Sequence, residues 1–131
     1  MEKQGLGGNV EITNAVGASN VCTLTFAVKD NDGKAVEEVV AFDIWLADAV
    51  TGLGLTGSVS GVTELAALSG FGEVIGVLTA KKAARVITNA LGVFKISYTD
   101  TGKVAVFPCA TVPNNPGRIS VGAGLVTASF G

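Results

Sequence analysis

The sequence contains no histidine. Because histidine is the commonest general base and metal ligand, its absence excludes Ser-His and Cys-His catalytic pairs and any His-based metal site. The adjacent carboxylates of Glu37 and Glu38 would point to opposite faces of a strand, so they cannot act together on one substrate. We therefore expect no catalytic residue, no cofactor and no metal, and an enzyme is the least supported class.

Charged residues are also scarce. They make up 15% of the chain, whereas 48% of positions are hydrophobic and 18 residues are glycine. Soluble domains usually carry about 25% charged residues, so this chain has little charge to spread over an exposed surface. We expect part of the surface to contact copies of the chain or another protein, with a small monomer as the alternative. The net charge of −2 and the scattered basic residues argue against nucleic-acid binding.

Long apolar runs are missing too. No stretch reaches the ~20 apolar residues that a membrane helix needs, so no membrane partner is expected. The first residues, MEKQGLGGNVEIT, contain no segment of the signal-peptide type, which predicts synthesis and retention in a cytoplasm. The length of 131 residues suits one compact domain. We predict a flexible arm over 1–8, through which Leu6 could reach a neighbour, and one domain over 9–131.

Only two cysteines are present, Cys22 and Cys109. The apolar stripe that contains Cys22 predicts that its side chain points inward. Around Cys109 the better apolar stripe consists of the alternate residues, which places this cysteine on the opposite face. The phase and cytoplasmic synthesis both argue against a disulfide, so we expect two buried or half-buried thiols.

Alternating apolar and polar residues predict a series of short strands. These strands cover 9–16, 20–28, 39–48, 73–79, 84–88, 93–99 and 103–112, with a last strand at 118–121 or 125–130. Turn sequences separate them at 30–34, 100–102 and 113–117. About seven to nine short strands with regular turns predict an all-β fold, an antiparallel sandwich.

The middle of the chain is less regular. Residues 51–72 are rich in glycine, and we expect a loop with one possible helical turn that begins at Thr63 and ends at Gly70. Further on, three basic residues form an elbow between two predicted strands: Lys81, Lys82 and Arg85. An amphipathic helix over 79–90 is the alternative for this region. The basic elbow is either solvated or in contact with an acidic partner.

Two further features of the sequence are candidate sites. The sequence DNDG resembles the opening of a calcium loop, but the twelfth position counted from Asp30 is Ala41, which supplies no carboxylate. We therefore expect a turn without metal. Trp45 lies out of phase with the apolar stripe of its own strand. It is either covered by the loop that follows or presented to a partner, because tryptophan often anchors interfaces.

Two turn segments carry recognisable patterns. The first has the pattern V-x-D-x-x-G-x-x-V, carried by Val28, Asp30, Gly33 and Val36. The second has a T-N-x-x-G-V turn and a T-x-x-G-x-x-x-V return, carried by Thr88, Asn89, Gly92, Val93, Thr99, Gly102 and Val106. These segments resemble bacterial immunoglobulin-like domains of the invasin and intimin kind. These patterns cover about a third of the chain and imply an immunoglobulin-like β-sandwich, not an activity.

The whole chain, with LTAKKAARVITN and the final LVTASFG, also resembles small structural proteins of tailed bacteriophages. That resemblance implies a virion protein, most simply a decoration protein that binds and stabilises the head. Its partners would be the major capsid protein, or another virion protein, and further copies of itself. A tail-tube or fibre component and a cell-surface or carbohydrate-binding module are the alternatives. The residues assigned to the partner interface are Trp45, Lys81, Lys82, Arg85 and Leu6.

Overall fold

The computed structural model describes residues 8–56, 65–113 and 117–131. Within them the chain forms eight strands and one short 3-10 helix. In chain order these are β1 (Asn9–Val16), β2 (Val21–Lys29), β3 (Ala41–Ala47), β4 (Glu73–Thr79), β5 (Ala83–Ile87), β6 (Val93–Thr99), β7 (Phe107–Thr111), β8 (Ile119–Val121) and the helix Thr127–Ser129. No helix in these residues is long and apolar enough to cross a membrane.

The strands form two antiparallel sheets. One has the order β1-β2-β6 and the other the order β4-β5-β3-β7-β8. The series β1-β2-β6 and β3-β7-β8 correspond to the A-B-E and C-F-G strands of an immunoglobulin sandwich. The predicted all-β, immunoglobulin-like sandwich is therefore confirmed. The hairpin of β4 and β5 extends the second sheet beyond β3.

The two sheets share one core. Along β2 every second residue is buried, as the alternating sequence predicts. Phe26 of β2 packs on Phe94 of β6, with ring centroids 6.0 Å apart, and across the sandwich on Phe42 of β3 at 6.3 Å. The core extends from Val10 to Phe130. Both cysteines are buried and neither forms a disulfide, as predicted.

Most predicted strands agree with the structure, and β1, β4 and β6 have the predicted bounds. However, β7 begins at Phe107, later than predicted. The carboxylate of Asp100 accepts hydrogen bonds from the N–H groups of Gly102 at 2.9 Å and Val104 at 3.1 Å, which extends the preceding turn. The last strand lies at the first of its two predicted places. The predicted turn at 113–117 lies partly outside the described residues.

The described residues of the middle region contain the strands β4 and β5 and no helix. Residues 79–90 form a hairpin turn and β5, so the helical alternative is wrong for this segment. The predicted start of a helical turn at Thr63 lies outside the described residues. Residues 65–70 are not helical, because Ala67 forms a bridge with Ile96 at the free edge of β6. This single bridge adds one backbone pairing at the edge of the three-stranded sheet.

The two turn motifs are closed by their own side chains. Asp30 Oδ1 accepts the N–H groups of Asp32 at 2.8 Å and Lys34 at 2.9 Å. Asn89 Oδ1 accepts those of Leu91 and Val93 in the same way. Side chains of this kind replace the backbone hydrogen bonds that a tight turn leaves unmade. Asp30 Oδ1 is therefore held by the main chain of its own turn.

Only the last residue of the predicted arm, Gly8, lies within the described residues. Leu6 and the rest of 1–7 lie outside the described residues. Gly8 is buried, and a Cβ atom placed on it would stand 2.2 Å from the main-chain carbon of Asp30. The main chain is therefore packed against the DNDG turn from residue 8 onward, because a side chain at this position has no room.

Candidate interaction surface

Trp45 lies on the outer face of the five-stranded sheet and is half-buried. Its indole N–H donates a hydrogen bond of 2.8 Å to the main-chain carbonyl of Gly52. The outward phase predicted from the sequence is therefore confirmed. The loop that follows satisfies the polar edge of the ring, while the rest of the ring lines an open cavity. Contact of this ring with a partner stays a prediction.

The segment that follows β3 folds back over this outer face. Gly52 donates its N–H to the carbonyl of Ala49 at 2.9 Å, and Thr56 donates its N–H to that of Leu46 at 2.8 Å. The hydroxyl of Thr56 also bonds to the Asp48 carboxylate. These bonds return the chain to the end of β3 and leave the residues between them projecting over the sheet.

An apolar cavity of about 330 Å³ lies between this segment and the sheet. Asp43, Ile44, Trp45, Gly52, Leu53, Gly54, Leu55, Leu78, Ala83, Thr111 and Ile119 line it. Its three leucines are exposed: Leu53 at 74%, Leu55 at 45% and Leu78 at 54%. We refer to Trp45, these three leucines and the cavity between them as the Trp45 surface.

The sequence reasoning missed the three leucines. Leu53 and Leu55 belong to the sequence TGLGLTG, for which the glycines predict an irregular loop. The signal in the sequence is the pair of leucines itself, because the neighbouring glycines have no side chains to cover them. Leu78 was assigned to a strand, but a bulge in β4 between Val77 and Thr79 makes it an extra residue in the strand and exposes it.

The basic elbow is only partly a separate surface. Arg85 donates from Nε to Asp43 Oδ1 at 2.9 Å and from a terminal nitrogen to Oδ2 at 3.2 Å. Because β3 and β5 are neighbours, this ion pair lies at the edge of the Trp45 cavity, and Arg85 is held by its own sheet. Lys81 and Lys82 form the turn between β4 and β5, where they remain at the surface.

The Cys109 thiol lies beneath the same loop. A Cβ atom placed on Gly52 would stand 3.2 Å from Cys109 Sγ and 2.7 Å from the Val121 side chain. Burial raises the pKa of the Cys109 thiol from 9.0 to about 11, and burial also raises the pKa of Cys22. Both groups are therefore protonated near neutral pH, when a thiol is a weak nucleophile.

The remaining ionisable groups of the described residues do not form a metal-binding cluster. In the part of the chain that the structure describes, no three acidic or cysteine side chains are placed to hold a metal ion. A second, polar cavity of about 620 Å³ is lined by groups of both signs, including Glu11, Lys29 and Arg118. Lys29 and Glu11 already form an ion pair of 3.7 Å.

No family model, curated protein or solved structure matches this chain.

Proposed function

We propose that this protein is a structural virion protein, a head decoration protein that binds the outside of a capsid and stabilises it. The observation that carries the proposal is the Trp45 surface. Three leucines with 45% to 74% of their surface exposed surround one cavity on the outer face of the five-stranded sheet. Contiguous apolar patches of this kind on a folded domain usually mark a site of protein contact.

The energetics favour a protein partner. Burial of apolar surface stabilises a complex by about 25 cal/mol per Å², before the costs of ordering are subtracted. A partner side chain that enters the cavity would contact the Trp45 ring, and tryptophan is prominent among the residues that dominate binding energies. Binding of many copies to a repeating shell would add avidity to each single contact. A capsid surface offers such a repeat.

The groups around the surface are suited to contact rather than to reaction. The Asp43 carboxylate is paired with Arg85, and the Cys109 thiol is covered and protonated. A nucleophilic thiol needs its thiolate form, and the covered Cys109 thiol is protonated near neutral pH. Both oxygens of the Asp43 carboxylate accept hydrogen bonds from Arg85.

The aromatic residues disfavour the carbohydrate-binding alternative. Such modules hold sugars on exposed aromatic faces, but Trp45, Phe71 and Phe107 are half-buried and the other aromatic side chains of this chain are buried. The Phe71 ring also has the Lys95 ammonium 4.4 Å above its centre. The Trp45 surface would serve a tail-tube or fibre component equally well.

Imaging separates the head from the tail. We expect purified protein, mixed with particles from the virus whose genome encodes it, to appear at regular positions on the head in electron micrographs. Density on the tail would favour the tail-tube or fibre alternative. A protein absent from both head and tail at saturating concentration would contradict a virion role.

A further inference from the structure

The β4 edge of the five-stranded sheet is unusually apolar. Among the described strands β4 pairs with β5 alone, so its other side forms a border of the sheet. Ile75, Val77 and Leu78 are 51%, 54% and 54% exposed, and no charged residue occurs between Glu73 and Lys81. Edge strands of soluble proteins are usually protected from association by lysine, proline or β-bulges. This edge has bulges but neither lysine nor proline.

Bulges determine how this edge can be contacted. The register of β4 against β5 shifts between Val74 and Gly76 and again between Val77 and Thr79. Each shift adds a residue to β4, which interrupts regular hydrogen bonding and redirects side chains. A partner strand would therefore be held mainly by side chains and only briefly by the main chain.

Gly76, at the middle of β4, has no internal role that requires glycine. Its φ lies outside the left-handed region, and a Cβ atom there would meet only the Arg85 Cβ, at 4.0 Å. Glycine within a strand is destabilising relative to alanine. It often marks a place where another main chain approaches closely. At Gly76 the missing side chain leaves the outer face of the sheet open, because a Cβ atom there would lie beside that of its paired residue Arg85.

The charges at the two ends of β4 are complementary. Glu73 begins the strand, and Lys81 and Lys82 follow its end. In an antiparallel pair centred on Gly76, Glu73 of each copy lies beside the lysine turn of the other, and Ile75 lies beside Val77. A parallel pair would instead place equal charges side by side. The antiparallel arrangement is therefore favoured by the charges at both ends.

We propose that this edge binds a second copy of the chain, with the two β4 strands antiparallel about Gly76. The two-fold axis of such a pair is perpendicular to the sheet, so both outer faces point the same way. Trp45, Leu53 and Leu55 of both copies would then face one partner surface, and binding would be bivalent. That consequence rests on the proposed function, whereas the dimer itself does not.

Sedimentation velocity over a range of concentrations, without any capsid present, tests the dimer. We expect Ile75→Lys with Val77→Lys to weaken dimerisation at least about tenfold. Val126→Lys is the matched control, because Val126 is 57% exposed and lies away from β4. Circular dichroism checks that each variant is folded. A monomeric wild-type protein, or a dimer that the β4 lysines leave unchanged, would overturn the inference.

A charge exchange tests the orientation. We expect Glu73→Lys alone and Lys81→Glu alone each to weaken the dimer, because each places like charges together. The double variant should recover wild-type association, since the pairs are restored with opposite sign. Additive losses in the double variant would contradict the antiparallel arrangement. Because the assay contains only this protein, its failure is distinct from a failure to bind capsids.

Discussion

The main chain of Gly92 lies against the carbonyl oxygen of Val36, so closely that a Cβ atom on Gly92 would stand 2.0 Å from it. Val28 joins the same cluster, because its N–H donates to the Gly92 carbonyl at 2.9 Å and its carbonyl accepts from Val36 at 3.0 Å. The two turn motifs, far apart in the sequence, are therefore fastened to each other at one end of the sandwich.

This contact predicts unequal costs for two glycine substitutions. Gly92 and Gly33 both have positive φ, +75° and +80°, but a Cβ atom on Gly33 would meet nothing within 4 Å. We expect Gly33→Ala to lower the free energy of unfolding by about 1–2 kcal/mol, for the backbone conformation alone. Gly92→Ala should cost clearly more, because its methyl group collides with main-chain atoms. Urea unfolding followed by circular dichroism measures both, and equal losses would contradict the contact.

Tyr98 offers a substitution that should not destabilise the protein. The side chain is fully buried in the core, and its hydroxyl has no hydrogen-bond partner among the described residues. A buried polar group without a partner costs about 1–3 kcal/mol. We therefore expect Tyr98→Phe to leave the free energy of unfolding unchanged or to raise it by about 1 kcal/mol. A loss of that size in urea unfolding would show that the hydroxyl is bonded after all.

Alkaline pH should destabilise the protein through Cys109. Its pKa is about 11 in the folded state and near 9.0 in the unfolded state. Above the lower value the unfolded chain loses the proton while the folded chain retains it, so stability falls between about pH 9 and 11. Burial also raises the pKa of Tyr98, with the Asp100 charge as a second cause, and this adds to the fall.

The contribution of the thiol is separable by mutation. We expect Cys109→Ala to lose less stability between pH 8 and pH 11 than the wild-type protein loses, because one of the linked protons is gone. Urea midpoints at several pH values, measured under reducing conditions, give the change of stability with pH for both proteins. An identical change in both would mean that the Cys109 thiol is not protected from ionisation in the folded state.

The ion pair of Arg85 and Asp43 should contribute little to folding. The Arg85 side chain is 56% exposed, and its bond to Asp43 is 2.9 Å long. Exposed ion pairs usually stabilise by about 0–1 kcal/mol. We expect a double-mutant cycle with Arg85→Met and Asp43→Asn to give a coupling energy in that range, decreasing with added salt. A coupling above about 2 kcal/mol would show that the pair is a main structural element of the outer face.

Sequence periodicity was sufficient to predict most of the fold. The strands alternate regularly, and side chains such as Asp30 and Asn89 close their turns locally, so short-range chemistry determines both. The outward phase of Trp45 follows from the same alternation. These features need no knowledge of distant contacts, which is why they could be predicted.

The rest depends on contacts between distant parts of the chain. The course of the loop over Trp45 depends on the bond from Thr56 back to Leu46, and no local pattern specifies it. The pairing of Arg85 with Asp43 follows from the register of β3 and β5, which only the assembled sheet determines. The sequence alone therefore predicts one basic surface, whereas in the structure Arg85 is bonded to Asp43.

Co-sedimentation with capsids tests the central proposal most directly. The capsids are assembled from the major capsid protein of the same genome, and three proteins are compared: wild type, Leu53→Asp with Leu55→Asp, and Leu91→Asp. Leu91 is the control because it is a leucine with 59% exposure on a different turn. We expect the wild type and the control to bind saturably, and the double variant to bind at least about tenfold more weakly. No binding by the wild type, or equal binding by all three, would contradict the account.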